Sequence, residues 1–502
     1  MNFKITASNH EDRFEVQGFS GPTLLEQLQA ASVPIKSSCQ GKGICRQCRV
    51  KVTRGIAPIT PSDRKAFKDG QLADGWRLSC GIRPKTAIEV VFPQTYLFQT
   101  DVQWLRDPVS DFAWAGDFGT TGLEISAVDE HGEFARVKGL NRQVVRGADI
   151  MTRLEYAQTN GVEPLRKIAD EQISKMLELL RKTISEKAPS AKERRELTIA
   201  GNSAVTSFLA NLPIETLAVS PYQPATLAPQ MLTLAGLSAK TLPLLNSFVG
   251  GDLFAGIFHL WTTRKEFDEP WVLIDVGTNS EILFFDGEKL VVASTPAGPA
   301  FEGSNISIGM RAEPGAIIEP RFVDGKWTFR VIGNDVPKGI CGSALVQAID
   351  EAVESGISNA DGEVLRPELL PFDSETSLNQ DDFREFQLAK SAIRTGLDLV
   401  KKESKTAPKR LFLAGAFGEH LPLAASRRLG LLPDLETIAL GNASLKGVVD
   451  WMKAPADERE EFLNWIEDAK HPIELALSDD FQSRFIENLT LRPETRTSPR
   501  KL

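Results

Sequence analysis

Cysteine is scarce in this chain, 5 among 502 residues. So low a count excludes the disulfide framework of a small secreted domain. A chain of this length buries enough core to need no covalent staples. Long apolar runs are missing too. No window approaches about 18 apolar residues without a charge, so neither a transmembrane helix nor a membrane partner is expected. The first residues, MNFKITASNHEDRF, alternate polar and apolar side chains and lack the apolar stretch of a signal peptide. Positive charge is in deficit: 58 Lys and Arg stand against 67 Asp and Glu, a net charge of −9. That balance argues against a nucleic-acid partner. A reducing cytoplasm is the expected compartment. What remains is ordinary globular composition, 42% hydrophobic, with room for about three domains of roughly 150 residues.

The few cysteines are crowded. Cys39, Cys45 and Cys48 lie in SSCQGKGICRQC, and Cys80 follows 32 residues after Cys48. Three thiolates on one loop with a distant fourth is a pattern that holds a [2Fe–2S] cluster. A loop wrapped around inorganic sulfide needs unusual backbone angles. Gly41 and Gly43 supply them and let backbone N–H groups point at sulfur. Zinc is the rival metal, but zinc sites pair C-x2-C with a second close pair, and Cys80 stands alone. Four buried thiols without a metal are the plain alternative. The flanks read as a hairpin (FKITASNHEDRFEVQGF), a helix with Leu24, Leu25, Leu28 and Ala31 on one side (PTLLEQLQAASV), and strands (CRVKVTRG and AIEVVF). Over residues 1–95 the segment resembles the plant- and vertebrate-type [2Fe–2S] ferredoxin domain, a β-grasp fold, with cysteine spacing closer to the adrenodoxin-like branch. ITPSDRKAFKDGQLADGWRLSC is similar to the ferredoxin loop that leads into the fourth ligand. The resemblance implies single-electron transfer.

Residues 96–112 read as a short linker. After it one pattern occurs twice, FAWAGDFGTTGLEISAVDEHGEFA and WVLIDVGTNSEILFFDGEKLVVA. Each is an apolar strand ending in Asp-x-Gly-Thr, a tight turn, a second strand and a polar hairpin. Asp117 and Asp275 offer hard oxygens to Mg²⁺. Gly119 and Gly277 let a phosphate approach the backbone, and Thr120, Thr121, Thr278 and Asn279 offer donors. One such turn alone reads equally as a plain hairpin; two in register are stronger. In RLFLAGAFGEHL an apolar strand runs into Gly415 and Gly418, as α/β sheets do where they bind nucleotides. ELTIAGNSAVTSFL, with Gly201, is its counterpart in the first half. These elements resemble the phosphate and adenosine motifs of the actin-like ATPase superfamily over about residues 113–491. The resemblance implies two lobes closing on Mg-ATP, lobe I over 113–265 and lobe II over 266–491.

With STPAGPAFEGSNISIGMRAEPGAI, PKGICGSALV, FQLAKSAIRTGL, NSFVGGDLFAGIF and GADIMTRL, nearly the whole chain resembles the ferredoxin-linked actin-like ATPases that reductively activate corrinoid proteins. The expected fold class is therefore α+β and α/β: a β-grasp [2Fe–2S] ferredoxin domain, then a two-lobed actin-like ATPase domain. The resemblance implies a [2Fe–2S] cluster and Mg-ATP as cofactors. It implies an ATP hydrolase that passes one electron to Co(II) on a corrinoid protein or cobalamin-dependent methyltransferase, regenerating Co(I) for methyl transfer. It also implies an electron donor such as flavodoxin or a reductase, and a homodimer through the ATPase domain. One departure is expected: a short linker and no small middle domain. Two other readings stand beside this one. An activator of a radical dehydratase would carry several cysteines in its ATPase domain, where this chain has Cys341 alone. A redox-sensing nucleotide-binding protein would bind ATP without turnover.

Further residues are weighed singly. Glu302 in PAFEG either positions a catalytic water or caps a helix. Gly342 and Ser343, in GICGS, are candidates to meet nucleotide. Cys341 reads as a small buried residue, Glu281 as facing its hairpin, and His420 as solvated or packed. Residues 164–196 read as one amphipathic helix with Ile168, Ile173, Leu177 and Leu180 toward the core. Residues 492–502 are basic, contain proline and are expected to be disordered.

Overall fold

The period-two alternation of the first residues produces the expected hairpin. Asn2–Ser8 and Arg13–Phe19 pair antiparallel in the computed structural model, with Asn2 opposite Phe19. The structure describes the chain apart from residues 1, 10–12, 32, 34, 36, 38–40, 44–45, 94–101, 148, 220–221, 248, 264, 375, 405 and 493–502. The expected disordered tail, beyond its first residue, lies outside the described residues. Two compact units are present, Met1–Pro243 and Leu244–Leu502.

In the first unit, the N-terminal strand also pairs parallel with Ile88–Val91. The five-stranded sheet runs Arg13–Phe19, Asn2–Ser8, Ile88–Val91, Arg49–Arg54, Trp76–Leu78. The helix Leu24–Ala30 starts at a capping box: the Thr23 hydroxyl accepts the Glu26 N–H at 3.2 Å, and the Glu26 carboxylate accepts the Thr23 N–H at 2.6 Å. Leu24, Leu25 and Leu28 are buried against Ile5, Val50 and Ile88. Ala31 is not on that face; it is the exposed C-cap, because the helix ends at Ala30.

The rest of this unit is a seven-stranded sheet in the order Met231–Leu234, Leu237–Thr241, Glu193–Gly201, Phe112–Phe118, Gly122–Asp129, Gly132–Leu140, Gln103–Trp104. Gln103–Trp104 shows that the stretch read as linker is partly built into the sheet edge, with Trp104 edge-on to Phe134 at 5.8 Å. The helix read over 164–196 spans Glu163–Lys187 instead. Ala188 precedes Pro189 and leaves helical geometry, and Glu193–Gly201 is a strand parallel to Phe112–Phe118. Ile173, Leu177 and Leu180 are buried as expected, while Ile168 is half-buried and Leu165, Met176 and Ile184 complete the face.

The second unit repeats the arrangement. Its sheet runs Glu436–Gly441, Arg410–Ala414, Trp271–Asp275, Ser280–Phe285, Leu290–Thr295, Lys470–Pro472. In both sheets the strand ending in the Asp-x-Gly-Thr turn has its hairpin partner on one side and a parallel strand on the other. A smaller sheet holds Lys326–Val331, Ala316–Val323 and Gly339–Ile340. Residues 244–265, read from sequence as the end of lobe I, group with this second unit. The cause is apolar: on the helix Gly251–Thr263, Phe254 and Phe258 meet Trp451 with ring centroids 5.3 and 5.0 Å apart.

Candidate functional site

Two of the four cysteines are positioned by strand pairing. Arg49–Arg54 and Trp76–Leu78 run antiparallel, with Arg49 opposite Leu78. Cys48 therefore enters one strand where Cys80 leaves the other, and the Ser79 N–H donates to the Cys48 carbonyl at 2.8 Å. Both cysteines are buried, 1% and 9% exposed. Gly41 and Gly43 hold φ of +85° and +78°, the left-handed angles expected of them. A Cβ on Gly41 would come within 3.7 Å of the Cys80 Cβ, and one on Gly43 within 3.1 Å of the Ser62 hydroxyl. The loop thus passes close over Cys80 and against the helix Pro61–Ala66. Cys39 and Cys45 lie outside the described residues. Two sheltered thiols at one end of the sheet, approached by a left-handed glycine loop, fit a cluster bound by thiolate.

Asp63, missed in the sequence, anchors this end. It is fully buried and accepts from the Thr60 N–H, the Thr60 hydroxyl and the Leu78 N–H, each at 2.7 Å. It ties the helix cap to the strand that leads to Cys80. Replacing Asp63 with alanine strips three donors of their acceptor and is expected to cost about 2–4 kcal/mol. Thermal melts of the reconstituted protein, with the visible absorbance as a second probe, should both report it. A variant as stable as the parent would remove this anchoring role.

The first phosphate-type turn follows the strand Phe112–Phe118. The Gly119 N–H donates to the Gly122 carbonyl at 2.9 Å, and the Asn202 amide donates to the Thr120 hydroxyl at 3.0 Å. The turn therefore touches the N-cap of the helix Ser203–Ala210, the counterpart glycine stretch. The Thr121 carbonyl accepts the Asn141 N–H. Asp117 lies opposite Glu124 across the hairpin. Arg153, in GADIMTRL, is completely buried and donates to the Thr120 carbonyl at 2.6 Å and the Gly147 carbonyl at 2.8 Å. It fixes the turn from behind, 33 residues away in sequence.

The second unit gathers more of the expected residues. Asp275 ends its strand opposite Glu281. The Thr278 hydroxyl donates to the Glu302 carboxylate at 2.8 Å, so the turn and PAFEG meet. Glu302 ends the short 3-10 helix Pro299–Glu302 rather than capping a helix start. Gly277 accepts from the Ser280 hydroxyl at 3.3 Å, and Asn279 is half-buried on the same turn. Gly415, at φ +81°, has no room for a side chain: a Cβ would stand 2.5 Å from the Asp275 carboxylate. Gly342 begins the helix Gly342–Glu354, whose N-terminus carries no side-chain cap, leaving first-turn donors available to an anion. Phe301 stacks on Phe417 at 4.9 Å, joining the Glu302 segment to the Gly415 and Gly418 stretch. Ser343 is half-buried beside Cys341, its hydroxyl 3.4 Å from the buried Cys341 sulfur. This set of oxygens, glycines and a bare helix start fits a metal-bound phosphate chain.

Asp252 went unread in the sequence, and Glu281 was read there only as facing its hairpin. Burial raises the Asp252 carboxyl to about 6 from its ordinary 3.8, against the pull of the Leu253, Asp252 and Gly250 N–H groups. Burial and then the charges of Asp252 and Asp275 hold Glu281 well above the carboxylate range. Glu281 thus does more than face its hairpin. Arg311 is close enough to Glu302 for their charges to interact. Between 3.8 and about 6 the folded protein holds a proton on Asp252 that the unfolded chain has lost. That contribution to stability is complete at low pH and lost as pH rises through about 6. Asp252→Asn cannot ionise. It is expected to exceed the nucleotide-free parent by about 1–2 kcal/mol at neutral pH, the gain vanishing in acid. A pH series of melting temperatures with a constant difference would show that folding leaves the Asp252 carboxyl unshifted.

Comparison with known proteins agrees with this layout. Residues 9–85 match the family described as a 2Fe-2S iron-sulfur cluster binding domain. Residues 112–264 match the RACo middle region, and residues 269–501 match the C-terminal domain of RACo, the ASKHA domain. The corrinoid activation enzyme RamQ of Eubacterium limosum is 28% identical over 392 residues, 70% of this chain and 65% of that protein. The [Co(II) methylated amine-specific corrinoid protein] reductase of Methanosarcina barkeri is 24% identical over 374 residues, 66% of this chain and 67% of its own length. The chain thus spans about two thirds of these curated relatives. A solved reductive activator for corrinoid, iron-sulfur protein superposes with a TM-score of 0.65 at 22% identity, covering 97% of this chain and 98% of that one. The RACo middle region matches the same stretch that was read from sequence as lobe I, residues 113–265. The two RACo descriptions adjoin and together reach from residue 112 to residue 501, behind a ferredoxin-type domain in the same polypeptide, and the chain belongs to the family of reductive activators of corrinoid proteins.

Proposed function

We propose that this protein returns the cobalt of a corrinoid protein or cobalamin-dependent methyltransferase from Co(II) to Co(I), one electron at a time, with ATP hydrolysis driving the step. The observation that carries the reading is the joining, in one chain of this family, of a cysteine loop built over Cys80 to a doubled Asp-x-Gly-Thr fold. Cys39, Cys45, Cys48 and Cys80 would hold a [2Fe–2S] cluster, which supplies one-electron storage near −400 mV when bound. The residues that would contact Mg-ATP are Asp117, Gly119, Thr120 and Thr121 in the first unit, and Asp275, Gly277, Thr278, Asn279, Glu302, Gly342, Ser343, Gly415 and Gly418 in the second. Burial of Cys48 and Cys80 keeps water from the thiolates. The Thr278 hydroxyl donates to the Glu302 carboxylate, which would be the group that positions water. Every 59 mV of mismatch between donor and acceptor costs tenfold in a one-electron equilibrium, and the Co(II)/Co(I) couple is very reducing. ATP use can supply that difference by favouring one state of the complex with the corrinoid partner. An acidic soluble donor such as flavodoxin, or a reductase, would refill the protein in a reducing cytoplasm. A homodimer through the ATPase domain is part of the same proposal. Among the described residues no helix is long and apolar enough to cross a membrane.

The test mixes anaerobically reconstituted protein with Co(II)-corrinoid protein and a low-potential reductant, and follows Co(I) absorbance. Co(I) should accumulate only with Mg-ATP. Equal Co(I) without nucleotide would sink the coupling, and none under either condition, with the visible spectrum intact, would point to another electron acceptor.

A further inference from the structure

The charge of the cysteine-bearing segment runs against that of the whole chain. From Lys42 to Lys85 there are 11 Lys and Arg but 3 Asp and Glu, in a chain of net charge −9. Several of these cations border the thiols. Lys42 and Arg46 sit on the glycine loop itself, and Arg83 follows Cys80 by three residues. Arg64 and Lys65 lie on the helix Pro61–Ala66, which the loop approaches at Ser62. All five are exposed. Lys51 and Arg54 are ion-paired to Asp74 and Glu89. Lys42 reaches only a 3.7 Å contact with Glu155, in which both groups are more than half exposed. Among the described residues no carboxylate lies within 4.0 Å of Arg46, Arg64, Lys65 or Arg83. The exposed large apolar side chains described in this region are two, Ile56 at 76% and Ile59 at 39%, the latter adjoining the helix cap.

We infer that this basic rim is the docking face for an acidic one-electron donor protein. The inference rests on the proposed electron-carrying role of the four cysteines. A rim of exposed cations, most of them without a carboxylate partner among the described residues, steers a negatively charged partner and raises the encounter rate, an effect that salt removes. It provides little of the buried aromatic or aliphatic anchoring that a long-lived complex needs. That suits a donor that meets the protein briefly and leaves. It does not suit the corrinoid partner, whose complex must persist through an ATP cycle. The step moves no atom: one electron leaves the donor's flavin and one enters the cluster held by the cysteines.

The experiment uses full-length reconstituted protein, with reduced flavodoxin as the acidic probe and reduced methyl viologen, a cation, as its opposite. Bleaching of the visible absorbance is followed in stopped flow. Reduction by flavodoxin should slow at least about tenfold between low and high salt. It should slow by a similar factor at low salt in Arg64→Glu/Lys65→Glu, whose spectrum should match the parent's. The viologen rate should move the other way in both cases. Calorimetry with oxidised flavodoxin, in which no electron moves, should show binding to the parent and its loss in the double variant. Flavodoxin rates and binding indifferent to salt and to the two substitutions, with viologen still reducing the protein, would overturn the docking face. The same holds if the substitutions slow only Co(I) formation with viologen as reductant, which would place the corrinoid partner there instead. If neither reductant bleaches the absorbance, the electron-carrying role itself falls, and the docking face with it.

Discussion

Asp275→Asn is expected to lower ATP-driven Co(I) formation by about a hundred- to a thousandfold, with the visible spectrum of the reconstituted protein unchanged. The substitution is nearly isosteric. It leaves intact the strand Trp271–Asp275, which pairs through its backbone with Ser280–Phe285 and Arg410–Ala414. What it removes is a full negative charge and a hard oxygen, the two properties a magnesium ion selects. The surroundings are shaped around that carboxylate: Gly415 is held at φ +81°, where any Cβ would come within 2.5 Å of it. Steady-state ATP hydrolysis should fall in parallel with Co(I) formation. A variant that hydrolyses ATP at the parent's rate would show that Asp275 does not hold the metal.

Gly342→Ala should be the most damaging single methyl group in the second unit's site. A Cβ there would stand 1.9 Å from the Phe301 carbonyl oxygen and 3.0 Å from the Phe417 ring. The first obstacle is backbone, so it cannot rotate away. Either the start of the helix Gly342–Glu354 or the segment Pro299–Glu302 must move. The expected cost is about 3 kcal/mol or more, together with a loss of nucleotide affinity, because displacing that segment also displaces Glu302 from Thr278. Gly447→Ala is the control: its Cβ would meet the Ala255 carbonyl at 1.8 Å, in the contact between the helices Gly251–Thr263 and Ala443–Lys453. Both variants should melt early. Residual folded Gly342→Ala protein should bind Mg-ATP more weakly than residual Gly447→Ala protein in equilibrium titrations. Equal affinities would leave Gly342 a packing residue alone.

What could be read from the sequence was local. Alternation specified the hairpin from Asn2 to Phe19, and the recurrence of Asp-x-Gly-Thr specified the two matching strand pairs. Gly41 and Gly43 could be assigned left-handed angles because wrapping a loop demands them. The helix end at Lys187 was missed because the charged run after Pro189 reads as helix until its strand neighbour, Phe112–Phe118, is known. Asp63, Arg153 and Asp252 were missed for a related reason. Each looks like an ordinary surface charge in sequence, and becomes informative only through distant partners: Leu78 for Asp63, Thr120 for Arg153, and Glu281 for Asp252. The meeting of Thr278 with Glu302, 24 residues apart, was likewise not legible in the sequence.

The repeated hairpins place a glutamate opposite each aspartate, Glu124 facing Asp117 and Glu281 facing Asp275. The two glutamates have diverged in their company. Glu124 has Lys138 at 3.3 Å and Arg136 at 3.6 Å, whereas the Glu281 carboxyl is met by the Ser294 hydroxyl at 3.4 Å and by the repulsion of Asp252 and Asp275. One copy of the motif therefore sets its glutamate beside cations, whereas in the other burial and the neighbouring carboxylates hold Glu281 well above the ordinary carboxylate range, so that a proton is favoured there. A divalent cation taken up beside Glu281 would have to displace a proton first, a requirement that the copy around Glu124 does not carry.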